Sequence, residues 1–304
     1  MPIYVCAIGR TCIKSTAFNW PQSVEVNEHG MEGDREFVVV EDGMFVAQRH
    51  GTLPAPLPKA ITNKLASLGL GIEVRTMCQI VSRVDGGTLT VRAPGMSELC
   101  VSLLDTAPSE ARVQVWKDSA LPAIDQGAEA AQWFTAFLSR ERKGHYRLMR
   151  MARSCARKSK GGDALLRFHD AFPFMMVSSA SLGSLNGKLI SQGELAVPMT
   201  RFRPNIVLQG LKPHEEDRIA RLRIGQIEFT GKTLCDRCVV TCTDQKTAVR
   251  MKEPLRTLST YRKGSHIGIT DKGVNKIYFG RNFDHCGTGV IRVGDAVEVL
   301  EWKQ

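Results

Sequence analysis

The chain has 304 residues, 43% of them apolar and 24% charged, with a formal net charge of +10. This length can bury a substantial core and favours two domains, and the composition is ordinary for a globular protein. No stretch approaches the roughly 18 to 20 consecutive apolar residues of a membrane-spanning helix, and the first residues lack the pattern of a signal peptide. We therefore expect an untargeted, cytoplasmic protein without a membrane span.

Cysteine usage and the distribution of charge narrow the class further. Nine cysteines are scattered along the chain, an odd count that is typical of a reducing compartment. The basic charge would suit an anionic partner. However, no aromatic residues interleave with the densest basic run, residues 147–160, so stacking on single-stranded nucleic acid is poorly supported and we do not expect nucleic acid as the partner.

The first half of the chain has the pattern of a β-rich domain. Residues 36–40 and 44–47 are apolar, β-branched runs around an Asp-Gly pair, which predicts a hairpin. A proline-rich loop is predicted at residues 54–58. Further strands are predicted near residues 72–74, 89–91 and 113–116, and apolar residues at helical spacing predict a helix over residues 127–138.

The second half alternates short strands with a few helical segments. Residues 174–177 predict a strand, and the serine-rich stretch 179–186 predicts a helix with a serine cap. Strands are predicted at residues 205–209, 222–229 and 290–300. The last two each contain a glycine, which we interpret as a bulge or sharp bend of the kind that closes a small barrel.

The most distinctive local motif is Cys235-Asp-Arg-Cys238, followed by Cys242. By itself a Cys-x-x-Cys motif can be half of a structural zinc site, a redox pair or core packing. Arg237 and Lys232 place positive charge beside the thiols, which favours the thiolate form that soft metals bind. The motif alone leaves these alternatives open.

Other segments carry groups suited to an anionic or heterocyclic ligand. Residues 201–205 (Arg-Phe-Arg-Pro-Asn) offer bidentate donors and an amide just before a strand. Lys14-Ser15 and residues 33–35 (Gly-Asp-Arg) are cation-bearing turns. Residues 169–173 (His-Asp-Ala-Phe-Pro) include a histidine that can act in acid–base chemistry, although a lone loop histidine is more often a bystander.

Taken in order, several motifs form a series that covers nearly the whole chain. They are Gly33-Asp34-Arg35-Glu36-Phe37, Arg203-Pro204-Asn205-Ile206-Val207, Cys235-Asp236-Arg237-Cys238, Lys252-Glu253-Pro254-Leu255-Arg256-Thr257-Leu258 and Tyr261-Arg262. This series resembles the MOSC proteins, the family of the molybdenum cofactor sulfurase C-terminal domain. The likeness is strongest to the mitochondrial amidoxime reducing component and its bacterial relatives.

The resemblance implies an α+β, mainly β fold. An N-terminal β-rich MOSC-associated domain (1–120) packs on a C-terminal MOSC β-barrel domain (121–304) with a few helices, and a pyranopterin molybdenum cofactor (molybdopterin) lies between them. The family's metal ligand falls on Cys238, and its aspartate near the metal falls on Asp170, which we expect to be catalytic on the substrate side. Cofactor contacts fall on Lys14, Ser15, Arg35, Arg203 and Asn205, with Asp236 and Arg237 beside the ligand.

The resemblance also implies a reaction and its partners. We expect a molybdenum-dependent oxidoreductase that reduces small N-hydroxylated compounds to amines by Mo(IV)/Mo(VI) oxygen-atom transfer, with a role in detoxification. Some bacterial relatives carry a fused plant-type ferredoxin domain at the C-terminus. No such domain follows here, so we expect electrons from a separate donor protein of the ferredoxin, flavoprotein or cytochrome type.

Two alternatives remain, and two departures from the family bear on them. The chain could be a molybdenum cofactor carrier or sulfur-handling protein without reductase turnover, or a nucleotide- or nucleic-acid-binding module without molybdenum. Relatives often have hydroxyl residues after the aspartate, whereas this chain has Ala171-Phe172, so any contact there must come from the backbone. The turn at residues 244–248 also lacks the glycine that relatives often have.

Overall fold

The structure, a computed structural model, describes residues 2–48, 72–104 and 110–303. In chain order its strands are β1 (Tyr4–Ile8), β2 (Ser23–Asn27), β3 (Gly30–Met31), β4 (Phe37–Glu41), β5 (Met44–Ala47), β6 (Ile72–Glu73), β7 (Val81–Asp85), β8 (Thr88–Arg92), β9 (Leu99–Ser102), β10 (Glu110–Val115), β11 (Asp118–Asp125), β12 (Arg147–Met151), β13 (Phe174–Ser178), β14 (Ile206–Gln209), β15 (Ile219–Ile224), β16 (Ile227–Asp236), β17 (Tyr278–Cys286), β18 (Gly289–Arg292) and β19 (Val297–Trp302). The α-helices are α1 (Gly127–Leu138), α2 (Ser179–Ser191) and α3 (Leu255–Ser259). Short 3-10 helices lie at Arg75–Gln79, Met199–Phe202, Glu215–Arg218, Val239–Cys242 and Gly264–Ile267.

The larger sheet has seven strands in the order β1-β14-β13-β17-β16-β15-β19. Backbone hydrogen bonds join its two outer strands: Val5 N donates to Asp295 O, and Val297 N donates to Ile3 O, each at 2.9 Å. The sheet therefore closes into a barrel. A cluster of aliphatic and phenylalanine side chains, nearly all fully buried, fills its interior and supplies the apolar burial that stabilises it.

The other barrel is called the first barrel, because its strands lie in the first half of the chain; it is built around strands β10-β11-β12-β4-β5-β6, and the seven-stranded barrel is the second barrel. Strand β10 also pairs in parallel with β5 through Gln114 and Met44, so five of these strands form a ring. Helix α1 packs on this body with Trp133, Phe134 and Phe137 buried, and the small sheet β7-β8-β9 shares that core. The architecture is mainly β with few helices, as expected from the sequence.

Strands from one of the two ranges predicted as domains, 1–120 and 121–304, pair with strands from the other range. The two ranges themselves stay a prediction. Strand β1 pairs with β14, and β2 pairs with β18, so the first thirty-odd residues contribute to the second barrel. Strands β11 and β12 continue the first barrel, because β12 pairs with both β11 and β4. Each barrel therefore uses segments from both ranges, which brings distant parts of the chain to the surface between them.

Most of the local predictions are confirmed. The hairpin forms between β4 and β5, with Asp42 (φ 50°) and Gly43 (φ 77°) in the left-handed region that such a turn requires. The predicted helix at 127–138 is α1. Helix α2 is capped by Ser178, whose side chain accepts a hydrogen bond from Ala180 N. The predicted loop at 54–58 lies outside the described residues.

The interpretation of the two strand glycines is wrong. Gly225 (φ 58°) is in the tight turn between β15 and β16, so residues 222–229 form two strands rather than one. Gly294 (φ 97°) likewise lies between β18 and β19, which join different sheets. A positive φ is compatible with a turn and not with a continuous strand, and glycine adopts it without steric penalty. Within the described ranges, no helix is long and apolar enough to cross a membrane.

The approach of β1 to the segment before β14 predicts a sensitive position. A Cβ atom on Gly9 would lie 2.5 Å from Pro204 O, and Gly9 N donates to Asn205 O at 2.9 Å. Gly9→Ala should therefore lower the free energy of unfolding by about 1–3 kcal/mol, the usual effect of overpacking. Denaturant unfolding of the purified variant measures this.

Gly183→Ala is the matched control. Gly183 lies inside α2, and a Cβ there would meet nothing within 4 Å. This variant should gain roughly 0.5–1 kcal/mol from the better helix propensity of alanine. Equal stability of Gly9→Ala and the wild-type protein would contradict the close approach.

Candidate functional site

A cavity of about 400 Å³ opens between the two barrels. Its walls combine the segment after β1, the turns before β4 and after β10, the loop before β13, and the ends of β5 and β16. The lining includes all nine residues that the sequence singles out: Lys14, Ser15, Arg35, Asp170, Arg203, Asn205, Asp236, Arg237 and Cys238. The fold thus gathers residues from five stretches of sequence at one place.

The backbone around this cavity is strained. Ser15 (φ 71°), Arg35 (φ 50°), Trp116 (φ 56°) and Arg203 (φ 55°) all line it and all adopt the left-handed conformation. For a residue other than glycine this conformation costs about 1–3 kcal/mol, and such strain tends to concentrate at functional sites. Each of these residues is held there by tertiary contacts, which aim its side chain or backbone at the cavity.

Asp34 is the buried anchor beneath the cavity. Its side chain is fully buried; Oδ1 accepts a hydrogen bond from Thr11 N (2.9 Å), and Oδ2 accepts one from Asn205 Nδ2 (2.8 Å) and pairs with Arg35. Burial opposes the charged form, but the Arg35 guanidinium and the hydrogen bond to His169 outweigh it and hold the pKa of Asp34 well below its usual range. One ionised carboxylate therefore ties together segments from both barrels.

His169 completes this buried group and is neutral. Its Nδ1 accepts a hydrogen bond from Arg167 N (3.3 Å), so Nε2 carries the proton and faces Asp34 Oδ2 at 3.2 Å. Burial lowers the pKa of His169 to about 4, although Asp34 opposes the shift. The side chain is 1% exposed. His169 orients Asp34 rather than exchanging protons with a substrate.

Lys14 and Asp170 form an ion pair in the cavity wall. Lys14 Nζ donates to Phe168 O (2.8 Å) and to Asp170 Oδ1, and the Trp116 indole Nε1–H donates to the same Oδ1 at 2.7 Å. Burial lowers the pKa of Lys14 to about 8. Desolvation by the surrounding walls opposes ionisation of Asp170, but Lys14 and the Trp116 N–H outweigh it and hold the pKa of Asp170 below its usual range. The side chain is 70% exposed, so a ligand in the cavity can reach it.

Arg35 and Arg203 lie over one aromatic ring. Their guanidinium carbons are 5.2 and 4.5 Å from the centroid of Phe18, within the range of a cation–π contact. Arg203 also donates to Thr16 O at 2.6 Å. Burial and the neighbouring Arg35 charge lower the pKa of Arg203 to about 10. Two cations held side by side favour an anion in the adjacent space.

The Cys238 segment follows the end of β16. The Arg237 side chain holds this segment in place. Its Nε donates to Phe279 O (2.8 Å) and its Nη1 to Phe202 O (3.1 Å), so the guanidinium is hydrogen-bonded to two backbone carbonyls. Cys238 is half-buried, and its carbonyl accepts hydrogen bonds from Thr241 N and Oγ1. The thiol is therefore presented from a fixed turn at the cavity wall.

The other two cysteines of the motif are placed differently. Cys235 Sγ lies 3.9 Å from Asp236 O, and buried Cys242 Sγ lies 3.4 Å from Lys252 O. Burial raises the pKa of both thiols. In the part of the chain that the structure describes, no group of three or more His, Cys, Asp or Glu side chains is placed to hold a metal ion.

The expected cofactor contacts differ in how much of each side chain is free. Asn205 is 2% exposed. Its Nδ2 donates a hydrogen bond to Asp34 Oδ2, and its Oδ1 accepts one from Met175 N (3.2 Å), so in this structure Asn205 positions Asp34. Ser15 is fixed through its carbonyl, which accepts from Gln48 Nε2. Asp236 is half exposed and pairs with Lys276 at 3.1 Å, at the rim.

The sequence did not identify three contributors to the site. Asp34 was named in a turn and in the first motif of the family series but was given no role, because its role depends on burial that no local pattern reveals. Phe18 has no motif around it, and its ring becomes important only because Arg35 and Arg203 converge on it. Trp116 lies at the end of a predicted strand, and Val115-Trp116 also matches the family pattern, but neither signal gave it a role.

Comparison with known proteins identifies the family. The model of the MOSC N-terminal beta barrel domain matches residues 5–141, and that of the MOSC domain matches residues 163–298. This chain therefore belongs to the MOSC-domain proteins.

Two named relatives are similar to it. "Mitochondrial amidoxime-reducing component 1" of Homo sapiens is 33% identical over 230 residues, 71% of this chain and 64% of that protein. "Molybdenum cofactor sulfurase 2" of Culex quinquefasciatus is 26% identical over 285 residues, 89% of this chain and 34% of that protein. The chain thus spans less than two thirds of the length of these relatives.

Among solved structures, the YUAD protein from Bacillus subtilis aligns over 98% of this chain and 95% of its own, with 8% identity and a TM-score of 0.35. A likeness this weak supports no inference about the site.

The buried His169 predicts a pH dependence of stability. On folding, the pKa of His169 falls from 6.5 to about 4. Between these two pH values the histidine is protonated in the unfolded chain but neutral in the folded chain, so lowering the pH favours unfolding. Its contribution is present above pH 6.5 and decreases as the pH falls through that window, by roughly 2 kcal/mol between pH 7 and 5.

His169→Gln keeps a donor toward Asp34 but cannot titrate. The free energy of unfolding of this variant, measured by urea at pH 7 and pH 5, should therefore decrease less than that of the wild-type protein. Other buried histidines with lowered pKa values, such as His214, leave part of the dependence in place. The same decrease in both proteins would show that His169 is not buried in its neutral form.

Proposed function

We propose that the chain holds a pyranopterin molybdenum cofactor in this cavity through the thiolate of Cys238 and reduces N-hydroxylated compounds to amines. One observation carries the proposal: the nine residues that the family resemblance assigns to the site line a single cavity. The volume, about 400 Å³, lies within the range of small-molecule and cofactor sites. Relatives named for amidoxime reduction and for the molybdenum cofactor support the same conclusion.

The charge of the lining fits a phosphorylated, anionic ligand. Five basic and two acidic residues line the cavity: Lys14, Arg35, Arg201, Arg203, Arg237, Asp170 and Asp236. Arg201 is 3% exposed and pairs with Asp244 Oδ2 at 2.9 Å. The other cations leave positive charge at this wall, which an anionic group of a ligand would offset.

Cys238 is the proposed metal ligand because its thiol faces the cavity from a turn that Arg237 and Thr241 hold in place. A soft thiolate can complete the coordination of a metal whose other ligands belong to an organic cofactor. When bound, that cofactor supplies two-electron oxygen-atom transfer, in which an N–OH compound, two electrons and two protons give the amine and water.

Asp170 is the proposed substrate-side group. Its ionised carboxylate projects into the cavity, and it can accept a hydrogen bond from the O–H or N–H of a substrate. Lys14, with a pKa near 8, is in contact with it and can supply a proton close to neutral pH. Because each turnover also consumes two electrons, we include a separate electron-donor protein of the ferredoxin, flavoprotein or cytochrome type in the proposal.

A carrier or sulfur-handling protein is the second candidate. It is favoured by the likeness to molybdenum cofactor sulfurase 2, which extends over 89% of this chain. Such a protein would bind the cofactor in the same cavity without reducing a substrate. The wild-type protein, given a chemical reductant and benzamidoxime, separates the two candidates, since only a reductase yields benzamidine.

Cys238→Ser should lower amidoxime reduction by about 100-fold or more, because even groups that merely support metal ligands contribute about 10- to 100-fold. Amine formation and molybdenum content, measured on the same preparations, check this. Cys242→Ser is the matched control. Cys242 lies four residues away, its thiol donates a hydrogen bond to Lys252 O, and it does not line the cavity. It should keep both the metal and the activity.

The outcomes separate the proposals. Undiminished reduction by Cys238→Ser would remove the ligand assignment. Bound molybdenum without amine formation in the wild-type protein would favour the carrier, and absence of molybdenum from freshly purified wild-type protein would contradict both candidates.

A further inference from the structure

Trp116 occupies a position that disfavours a bulky residue. It begins the tight turn between β10 and β11, where Val115 pairs with Asp118, and its φ is 56°. Glycine or asparagine is usual in this region, and a large side chain there is strained. This backbone conformation places the indole in the cavity wall.

The indole makes directional contacts in that wall. Its Nε1–H donates to Asp170 Oδ1 at 2.7 Å, and its ring packs edge-on against Phe45 with centroids 4.6 Å apart. Lys14 Nζ lies 5.9 Å from the ring centroid. The first barrel therefore contacts the proposed substrate-side carboxylate directly.

The same turn also fixes the backbone of Asp170. Asp118, two residues after Trp116, pairs with Arg157 Nε at 2.6 Å. Arg157 in turn donates to His169 O (2.5 Å) and to Asp170 O (3.2 Å). One turn thus holds both the main chain and the side chain of the same residue.

These contacts make the two oxygens of Asp170 unequal. Oδ1 accepts from both Lys14 and Trp116, whereas no donor among the described residues reaches Oδ2. With Oδ1 held, rotation of the carboxylate is restricted, and Oδ2 is the oxygen left to meet a ligand.

We propose that Trp116 is a positioning residue for Asp170: it fixes the carboxylate so that Oδ2 faces the substrate, and its ring forms part of the wall beside it. The inference rests on the proposed function of the cavity and adds to it a residue from the first barrel. It explains why the turn after β10 keeps a tryptophan in a strained conformation.

The charge around Asp170 sets the sign of the expected pH effect. The cations Lys14, Arg35, Arg157 and Arg203 surround it, and the nearby titratable groups are Lys14, neutral His169 and the Cys235 thiol. The Trp116 N–H stabilises the ionised carboxylate. Its loss should therefore raise the pKa of Asp170 and move the acid limb of the kcat/KM profile to higher pH.

Trp116→Phe removes the N–H and keeps an aromatic ring beside Phe45. We expect kcat/KM for benzamidoxime to fall about 10- to 100-fold, the effect of losing one hydrogen bond to a charged group, with molybdenum content unchanged. Trp133→Phe is the matched control, since it loses a similar indole bond (to Ser97 O, 2.7 Å) in the core of the first barrel. It should lower stability without changing kcat/KM or its pH profile.

A second readout does not require turnover. In protein labelled with ¹⁵N at the indole nitrogens, the resonance that disappears in Trp116→Phe belongs to Trp116, and it should move in Asp170→Asn while the Trp133 resonance stays in place. A Trp116 resonance that does not move in Asp170→Asn, or a Trp116→Phe variant with wild-type kcat/KM and pH profile, would overturn the inference. If the resonance moves but the wild-type protein reduces no amidoxime, the proposed function fails while the Trp116–Asp170 contact stands.

Discussion

The ionised carboxylate of Asp34, buried between the two barrels, is the interaction on which the cavity depends. It accepts a hydrogen bond from Thr11 N and from Asn205, and it pairs with Arg35 and His169. Removing one partner of a buried charge pair costs roughly 3–5 kcal/mol, because the remaining charge is left without compensation. Arg35 and the loop before Asp170 therefore take their positions from one group that never contacts the cavity itself.

An excess of cations follows from this arrangement. Arg35 and Arg203 both lie over the ring of Phe18. Lys14, whose pKa is lowered by burial, lines the same cavity. Arg35 and Lys14 pair with Asp34 and Asp170, but Arg203 forms no ion pair with a described residue, so positive charge remains at this wall. An anionic ligand would neutralise that charge, and it would compensate for the backbone strain at Arg35 and Arg203.

The sequence predicted local structure where the pattern is short-range. The hairpin of β4 and β5 and the helix α1 have periodicities that their own residues determine. The glycines at 225 and 294 were misinterpreted because a bulge and a tight turn share the same local sequence. Motif order also singled out nine residues that the fold brings together in one cavity wall, and their roles there stay a prediction. The roles of Asp34 and Phe18 were not predicted, because they arise from burial and from the convergence of distant arginines, which no single segment encodes.

The proposed bond between the sulfur of Cys238 and molybdenum can be observed spectroscopically. The molybdenum K-edge absorption spectrum of the purified protein, recorded beside that of Cys238→Ser, reports the sulfur neighbours of the metal. The variant, where it retains metal, should show one sulfur neighbour fewer around molybdenum than the wild-type protein. An identical sulfur shell in the two proteins would contradict the proposed bond.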